Sequence, residues 1–278
     1  MKLIYENALG RVELTGGGSG TFRLTETQGL SFPETEADVV RYANEPGQTV
    51  TEIFVLPRTI TVSGDICDPT GREMVRAATV FSAQGALTVT GMRGRRNIKC
   101  RCTGFMPQKR KGCFIPFTLQ LVCDRPYFED VTENTISVAK KVACLTSPFT
   151  LPTAFSRRIN EARIVNSGSV PVMPVIEISS KHVADCKNGI IIKNNTTGAS
   201  LALSCGVLAG ETITVDCENR TIFGSVQGNL LANLSPQTPM SAFSLQMGVN
   251  DVDVTIENET EPVFVRIRFR NQYGEAMV

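Results

Sequence analysis

Few residues in this sequence have the types and spacing that catalysis requires. The single histidine, His182, lies near Lys181 and Asp185 in a polar stretch. A catalytic histidine needs partners that orient it and exchange protons with it, and no motif supplies them here. The chain also lacks a Gly-x-Ser-x-Gly elbow, a Walker loop and a His-Glu-x-x-His pair. We therefore expect no enzymatic activity and no cofactor, with a hydrolase of unrecognised site as a distant alternative.

The nine cysteines raise the question of a metal site. Cys100, Cys102, Cys113 and Cys123 could converge across a hairpin. Their spacing lacks the Cys-x-x-Cys knuckle typical of structural zinc. Each also occupies an inward position of a period-2 pattern beside Ile, Phe or Leu, where cysteine behaves as a small buried hydrophobe. The sequence thus predicts reduced structural thiols and no metal.

A calcium site could draw on the acidic residues near the C-terminus, which are Asp251, Asp253, Glu257 and Glu259. Asp251 and Asp253 share one face of a predicted strand, and Val252 and Val254 share the other. No Asp-x-Asp-x-Asp-Gly loop accompanies them. A solvated strand face is the interpretation that we favour.

Basic side chains form the strongest charge feature of the chain. We expect them on turns and on the outward face of one hairpin: Arg93, Arg95, Arg96, Lys99, Arg101, Lys109, Arg110 and Lys111. One hypothesis is a solvated hairpin whose charges protect a strand edge from aggregation. The other is a surface that contacts an acidic partner, or the lining of a channel through which a polyanion passes.

The overall composition argues against several other function classes. The chain has 278 residues and a net charge of +1, so no global basic field would hold a nucleic acid. No apolar run approaches the ~18 residues of a membrane span, and the N-terminus lacks the apolar core of a signal peptide. We expect a soluble protein without a membrane anchor. Sugar sites usually need an aromatic platform, and the chain has no Trp and only four Tyr.

Alternation of apolar and polar residues dominates the sequence and predicts strands. The clearest strands carry inward faces at Ile60 and Val62, at Ile98 to Cys102, at Cys113 to Cys123, and at Val263 to Phe269. One helix is predicted within Asp68 to Gly85, because Met74, Val75, Ala78 and Phe81 have helical spacing and Asp68 or Thr70 could cap its start.

These patterns predict a mainly β protein of two domains. The first, residues 1–135, is expected to be a β-sandwich or split barrel with one inserted α-helix. The second, residues 136–278, shows short strands divided by turns, as in a β-sandwich. A linker is expected at about residues 129–160, which are weakly patterned and contain Ser147 to Pro152.

Several motifs in the first half resemble the N-terminal domain of siphophage distal tail proteins. Leu56 to Ile66, beginning Leu-Pro-Arg-Thr-Ile-Thr-Val, is similar to a characteristic strand of that family. The amphipathic helix and the strand at Gly85 to Val89 follow in the same order. Phe114 to Phe128 resembles the strand that ends in Asp-x-Pro-[Tyr/Phe]-Phe.

The second half resembles the galectin-like C-terminal domain of the same family. The similar segments are Val165 to Ile178 with Asn166-Ser167-Gly168, Ile192-Lys193-Asn194, Gly210 to Asp216, Phe243 to Asn250, and Val265 to Arg270. The resemblance covers nearly the whole chain, and the order of the motifs gives it more weight than any one of them.

The resemblance implies a structural role in a phage virion. Such proteins form a homo-hexameric ring at the tail tip, are assembled in the bacterial cytoplasm, and join the tail tube protein to the tail-associated adhesin or hub protein. A receptor-binding protein or a host-surface glycan is a further partner, and DNA only passes through. The alternative is a carbohydrate-binding module that contributes to host attachment.

Overall fold

The computed structural model describes residues 1–17, 20–43, 46–92, 94–143, 156–186, 189–256 and 262–276. The chain divides into two compact units, Met1–Val131 with Tyr273–Val278, and Thr132–Gln272. Of the range in which we expected a linker, about 129–160, residues 144–155 with Ser147 to Pro152 lie outside the described residues, and the described parts contain strands. Within the described parts, no helix is long and apolar enough to cross a membrane.

The first unit contains ten strands and one α-helix in the described parts. They are β1 Lys2–Asn7, β2 Gly10–Thr15, β3 Phe22–Gln28, β4 Thr35–Val40, β5 Thr49–Val55, β6 Arg58–Ile66, α1 Arg72–Phe81, β7 Gly85–Gly91, β8 Gly94–Pro107, β9 Ile115–Cys123 and β10 Phe128–Asp130.

The second unit contains strands throughout, with two short 3₁₀ turns at Leu231–Asn233 and Met240–Ala242. The strands are β11 Asn134–Ala143, β12 Ser156–Ile159, β13 Glu161–Asn166, β14 Val175–Ser180, β15 Ile190–Asn194, β16 Ser200–Leu203, β17 Thr212–Asp216, β18 Thr221–Gly224, β19 Gly228–Asn229, β20 Gly248–Ile256 and β21 Val263–Phe269. A last strand, β22, spans Gln272–Tyr273.

Seven strands of the first unit close into a barrel. Their order is β8-β7-β1-β2-β3-β6-β9, and β9 pairs again with β8. Among the described pairings of these seven strands, β2 and β3 alone pair in parallel. Closure removes the free edges that an open sheet would expose. The structure thus shows a closed barrel in this unit, where the sequence predicted a sandwich or a split barrel.

The helix α1 packs on the barrel through part of the predicted face: Phe81 is buried and Met74 is half-buried against the core, as predicted, but Val75 and Ala78 are exposed. Ala77, Val80 and Phe81 are buried, whereas Val75 is 63% exposed. The ring of Phe81 contacts Tyr5 with 5.3 Å between centroids. The prediction used Val75 and Ala78, which point to solvent.

The start of α1 is fixed by Asp68, as predicted, although the residue lies before the helix cap. Its carboxylate accepts hydrogen bonds from the amides of Thr70 and Gly71, and from the amide of Met74 at 3.1 Å. Burial alone would raise the pKa of Asp68, but these hydrogen bonds hold it below its usual value. The carboxylate thus satisfies amides that a helix start leaves unpaired.

Two of the motifs that suggested the family meet at the buried Arg58. Its guanidinium donates to the carbonyl oxygens of Pro126 at 2.7 Å and Gly29 at 2.6 Å, and also to those of Ser31 and Gly274. It also stacks over the ring of Phe128, 4.8 Å from the centroid. Arg58 therefore joins the strand β6, the Asp-x-Pro-Tyr-Phe segment and the C-terminal segment of the chain.

The second unit encloses its core between two sheets, as expected for a sandwich. One sheet has the order β12-β11-β21-β14-β17-β18-β19, and the other has the order β13-β20-β15-β16. Val263, Val265 and Ile267 on β21 are buried in the core together with Ile190 and Ile192 on β15. The predicted inward face of the last long strand is confirmed.

Three buried asparagines hold the loops of this sandwich, and each lies in a motif noted above. The amide of Asn166 donates to the carbonyls of Val170 and Leu245, both at 3.0 Å. Asn194 donates to Asn250 Oδ1 at 3.1 Å, and that oxygen also accepts the amide of Gln246. These motifs therefore serve the fold, since buried polar groups need hydrogen-bond partners.

Candidate interaction surface

The alternation of β8 divides the predicted basic residues between two faces of the strand. Arg95, Lys99 and Arg101 are exposed on the outward face, and we call these three the basic strip. Arg101 donates to Gln84 Oε1 at 3.4 Å. Arg95 and Lys99 have no salt bridge to any residue that the structure describes. The strip is therefore available for binding.

Arg96 lies on the opposite face, so its predicted exposure is wrong. It shares this face with the buried Ile98 and Cys100. Its guanidinium lies 3.4 Å from the centroid of the Tyr273 ring and donates to the carbonyl of Glu275 at 2.6 Å. Arg96 thus anchors the C-terminal segment, and its replacement would disturb the fold.

The remaining predicted cations lie beyond the far end of β8. Lys109, Arg110 and Lys111 are exposed at the turn between β8 and β9, which we call the basic turn. Arg110 donates to the carbonyl of Asp68 at 3.3 Å. Arg93 lies outside the described residues. The single predicted patch is therefore two separate features.

The sequence pattern did not predict the most exposed strands of the first unit that the structure describes. Strands β4 and β5 form a two-stranded sheet of their own, which we call the exposed hairpin. Large apolar side chains on β5 face solvent, with Ile53 63% and Phe54 49% exposed. The segment Thr-Val-Thr-Glu-Ile-Phe-Val has strong strand propensity. That propensity could have predicted a strand, but the segment lacks the regular alternation of apolar and polar residues that marks a strand with one buried face.

The register of the exposed hairpin gives it two faces of different chemistry. Asp38 lies opposite Glu52 and Glu36 lies opposite Phe54, so these four residues share one face, the acidic face. Thr35, Ala37, Ile53 and Val55 share the other, which carries no charge.

The second unit has an open cleft of ≈ 680 Å³ between β11, β12, β13 and β20. Among its polar side chains, Asn195 donates to Asp253, and Arg163 lies opposite Asp251 in the register of β13 and β20. Among the lining residues that the structure describes, none is aromatic. This chemistry does not favour a sugar. Of the acidic residues considered for calcium, Glu257 and Glu259 lie outside the described residues.

The cysteines differ in exposure more than the sequence predicted. Cys100 and Cys123 are buried, Cys102 is half-buried, and Cys113 is exposed, which corrects its predicted inward position. Burial raises the pKa of Cys217 to about 12 and that of Cys205 to about 11. The described residues include no group of three or more His, Cys, Asp or Glu side chains that could hold a metal.

The rate of thiol labelling in the native protein should follow the exposure of the cysteines. We expect iodoacetamide to modify Cys113 at least tenfold faster than Cys205 or Cys217, because the thiolate reacts and burial suppresses it. Peptide mapping by mass spectrometry would assign each site. Equal labelling of Cys113 and Cys217 under native conditions would contradict the structure, and labelling in urea provides the control for intrinsic reactivity.

A family model matches most of the second unit. Residues 167–273 match the family model of the siphovirus-type tail component, C-terminal domain. The resemblance to siphophage distal tail proteins is confirmed. The match includes the Asn166-Ser167-Gly168 turn from Ser167 onward and all of β14 to β21. No curated protein sequence matches the chain.

The fold of nearly the whole chain is similar to that of a solved phage hub protein. The crystal structure of SPP1 Dit, described as a paradigm of hub adsorption apparatus in phages that infect Gram-positive hosts, superposes with a TM-score of 0.64 at 15% identity, over 90% of this chain and 93% of that chain. The phage p2 baseplate in its activated conformation with Sr gives a TM-score of 0.51 at 10% identity, over 96% and 97% of the two chains.

Proposed function

We propose that this protein is a structural, non-catalytic hub at the tail tip of a siphophage. One observation carries the proposal: a tail-component domain at residues 167–273 lies in a chain whose fold matches SPP1 Dit over 90% of its length. In this role the barrel units of six copies form a ring. The ring joins the tail tube protein to the adhesin or hub protein, and DNA passes through it.

The second unit contributes the outer part of this hub. We propose that it is a galectin-like sandwich used as a scaffold, which contacts a receptor-binding protein or presents it to the host. Support comes from its two-sheet core and from its cleft, whose described lining contains no aromatic side chain. The same cleft weighs against the carbohydrate-binding alternative, in which the unit would bind a surface glycan directly.

Reconstitution with the neighbouring tail proteins tests the proposed function. The purified chain, of mass 30.2 kDa, would be mixed with the tube protein and the adhesin protein of the same particle and analysed by native mass spectrometry. We expect a complex that contains six copies of this chain. A strictly monomeric chain, both alone and in the mixture, would refute the hub role.

A further inference from the structure

The exposed hairpin lacks the support that a lone two-stranded sheet needs. Such a sheet is marginally stable in water on its own, and both of its edges can pair with another chain. Here β4 and β5 are exposed along nearly their whole length. Ile53 and Val55 are exposed on one face and Phe54 on the other, so apolar side chains of the kind that marks an interaction site face solvent on both sides. The hairpin is therefore suited to a partner that is not part of the same chain.

The charges of the hairpin indicate the chemistry of that partner. Asp38 and Glu52 are directly opposite each other and both are exposed. Like charges in directly opposed positions destabilise a sheet, and Glu36 lies two residues from Asp38 on the same face. A basic partner surface would relieve this repulsion, and Phe54 would supply apolar contact area beside it.

The same chain carries a surface with the complementary charge and spacing. Lys99 and Arg101 are two residues apart on the outward face of β8, as Glu36 and Asp38 are on β4. Side chains two apart on a strand are separated by about 6.6 Å in both cases. A strand laid along the basic strip can therefore match the charges one to one. The basic turn fits less well, since Arg110 is already bonded to the Asp68 carbonyl.

We propose that the acidic face of the exposed hairpin of one copy docks on the basic strip of the next copy. This inference rests on the proposed function, in which several copies assemble. The two surfaces differ, so the contact is head-to-tail, and such contacts generate a ring when the rotation closes. Charge complementarity sets the orientation, and Phe54, which lies on the acidic face, adds apolar buried area.

Reciprocal charge reversal tests this contact. One variant carries E36K, D38K and E52K on the hairpin, and the other carries R95E, K99E and R101E on the strip. All six residues are exposed, so both variants should fold as the wild type does by circular dichroism. In sedimentation velocity each variant alone should be monomeric, because its hairpin and strip now have the same sign. An equimolar mixture should form oligomers that contain both chains in equal number.

A third variant is the control for general charge effects. R72E, K111E and K181E change the net charge by the same amount as the strip variant but leave the basic strip intact, and they should assemble like the wild type. The docking contact is wrong if both reversed variants assemble alone or if their mixture stays monomeric. It is also wrong if the control fails to assemble. The contact is wrong as well if the hairpin variant still assembles with copies of itself and loses only its binding to the adhesin protein.

These results test the docking contact and the ring-forming function separately. If the wild type and both reversed variants all form rings, the proposed docking contact fails and the proposed function stands. If the wild type itself is monomeric, alone and with its tail partners, both fail.

Discussion

Replacing Arg58 with alanine is expected to destabilise the barrel unit by about 3–5 kcal/mol. The substitution removes the donors to the carbonyls of Gly29, Ser31, Pro126 and Gly274, and it uncovers the ring of Phe128. Carbonyls that stay buried without a donor carry the full cost of their lost hydration. Chemical unfolding with hydrogen-exchange mass spectrometry would measure the loss and assign it to a unit.

The peptides that lose protection against hydrogen exchange show which segments Arg58 anchors. Exchange should increase around residues 29–31, 124–128 and 273–276, because Arg58 holds these three segments together. Arg58→Lys should recover only part of the stability, since one ammonium group cannot reproduce the planar fork of a guanidinium. Arg72→Ala, at an exposed position on α1, should change stability by less than about 0.5 kcal/mol. Equal effects of the changes at Arg58 and Arg72 would contradict the anchoring role.

The parts of the fold that sequence alone could predict are those determined by alternation within one strand. On β6 and β21 the predicted inward residues are buried, and on β9 those from Phe117 to Cys123 are buried while Ile115 is half-buried. A period of two places alternate residues on the one face that packs on the core. The alternation on β8 also indicates that Arg96 is buried, because it lies on the same face as Ile98 and Cys100. We predicted Arg96 to be exposed because of its charge, since its partner Tyr273 is distant in sequence and gives no local signal.

Other features depend on pairings between distant segments. Barrel closure requires β8 to pair with both β7 and β9 and β2 to pair in parallel with β3, and no local pattern encodes those choices. On α1 the run from Val75 to Val80 is apolar on more than one side, so the packing of Phe81 against Tyr5 decides which face is buried. The exposed hairpin escaped detection because both of its faces are in solvent, which removes the alternation that marks a strand.

Glu211 should contribute to the stability of the second unit as Arg58 does to that of the first. Its carboxylate is fully buried and accepts hydrogen bonds from the amides of Leu208, Val226 and Gln227 at 3.1, 3.2 and 2.9 Å, and from the Gln227 side chain at 2.7 Å. We expect Glu211→Gln to cost about 2–4 kcal/mol, because it removes the charge and points an amide donor at existing donors. Urea unfolding, with exchange followed in residues 206–230, would measure the loss.

The pH dependence of that loss tests its electrostatic origin. Burial would raise the pKa of Glu211, but the four donors lower it below its usual value. A depressed pKa means that the unfolded chain binds the proton first, so the stabilisation is present above about pH 4.3 and disappears as pH falls through the folded pKa. The difference between wild type and Glu211→Gln should therefore be largest at neutral pH and shrink towards pH 3. Glu161→Gln, at an exposed position, should show no such trend, and a difference at Glu211 that is constant with pH would mean that packing rather than charge carries its contribution.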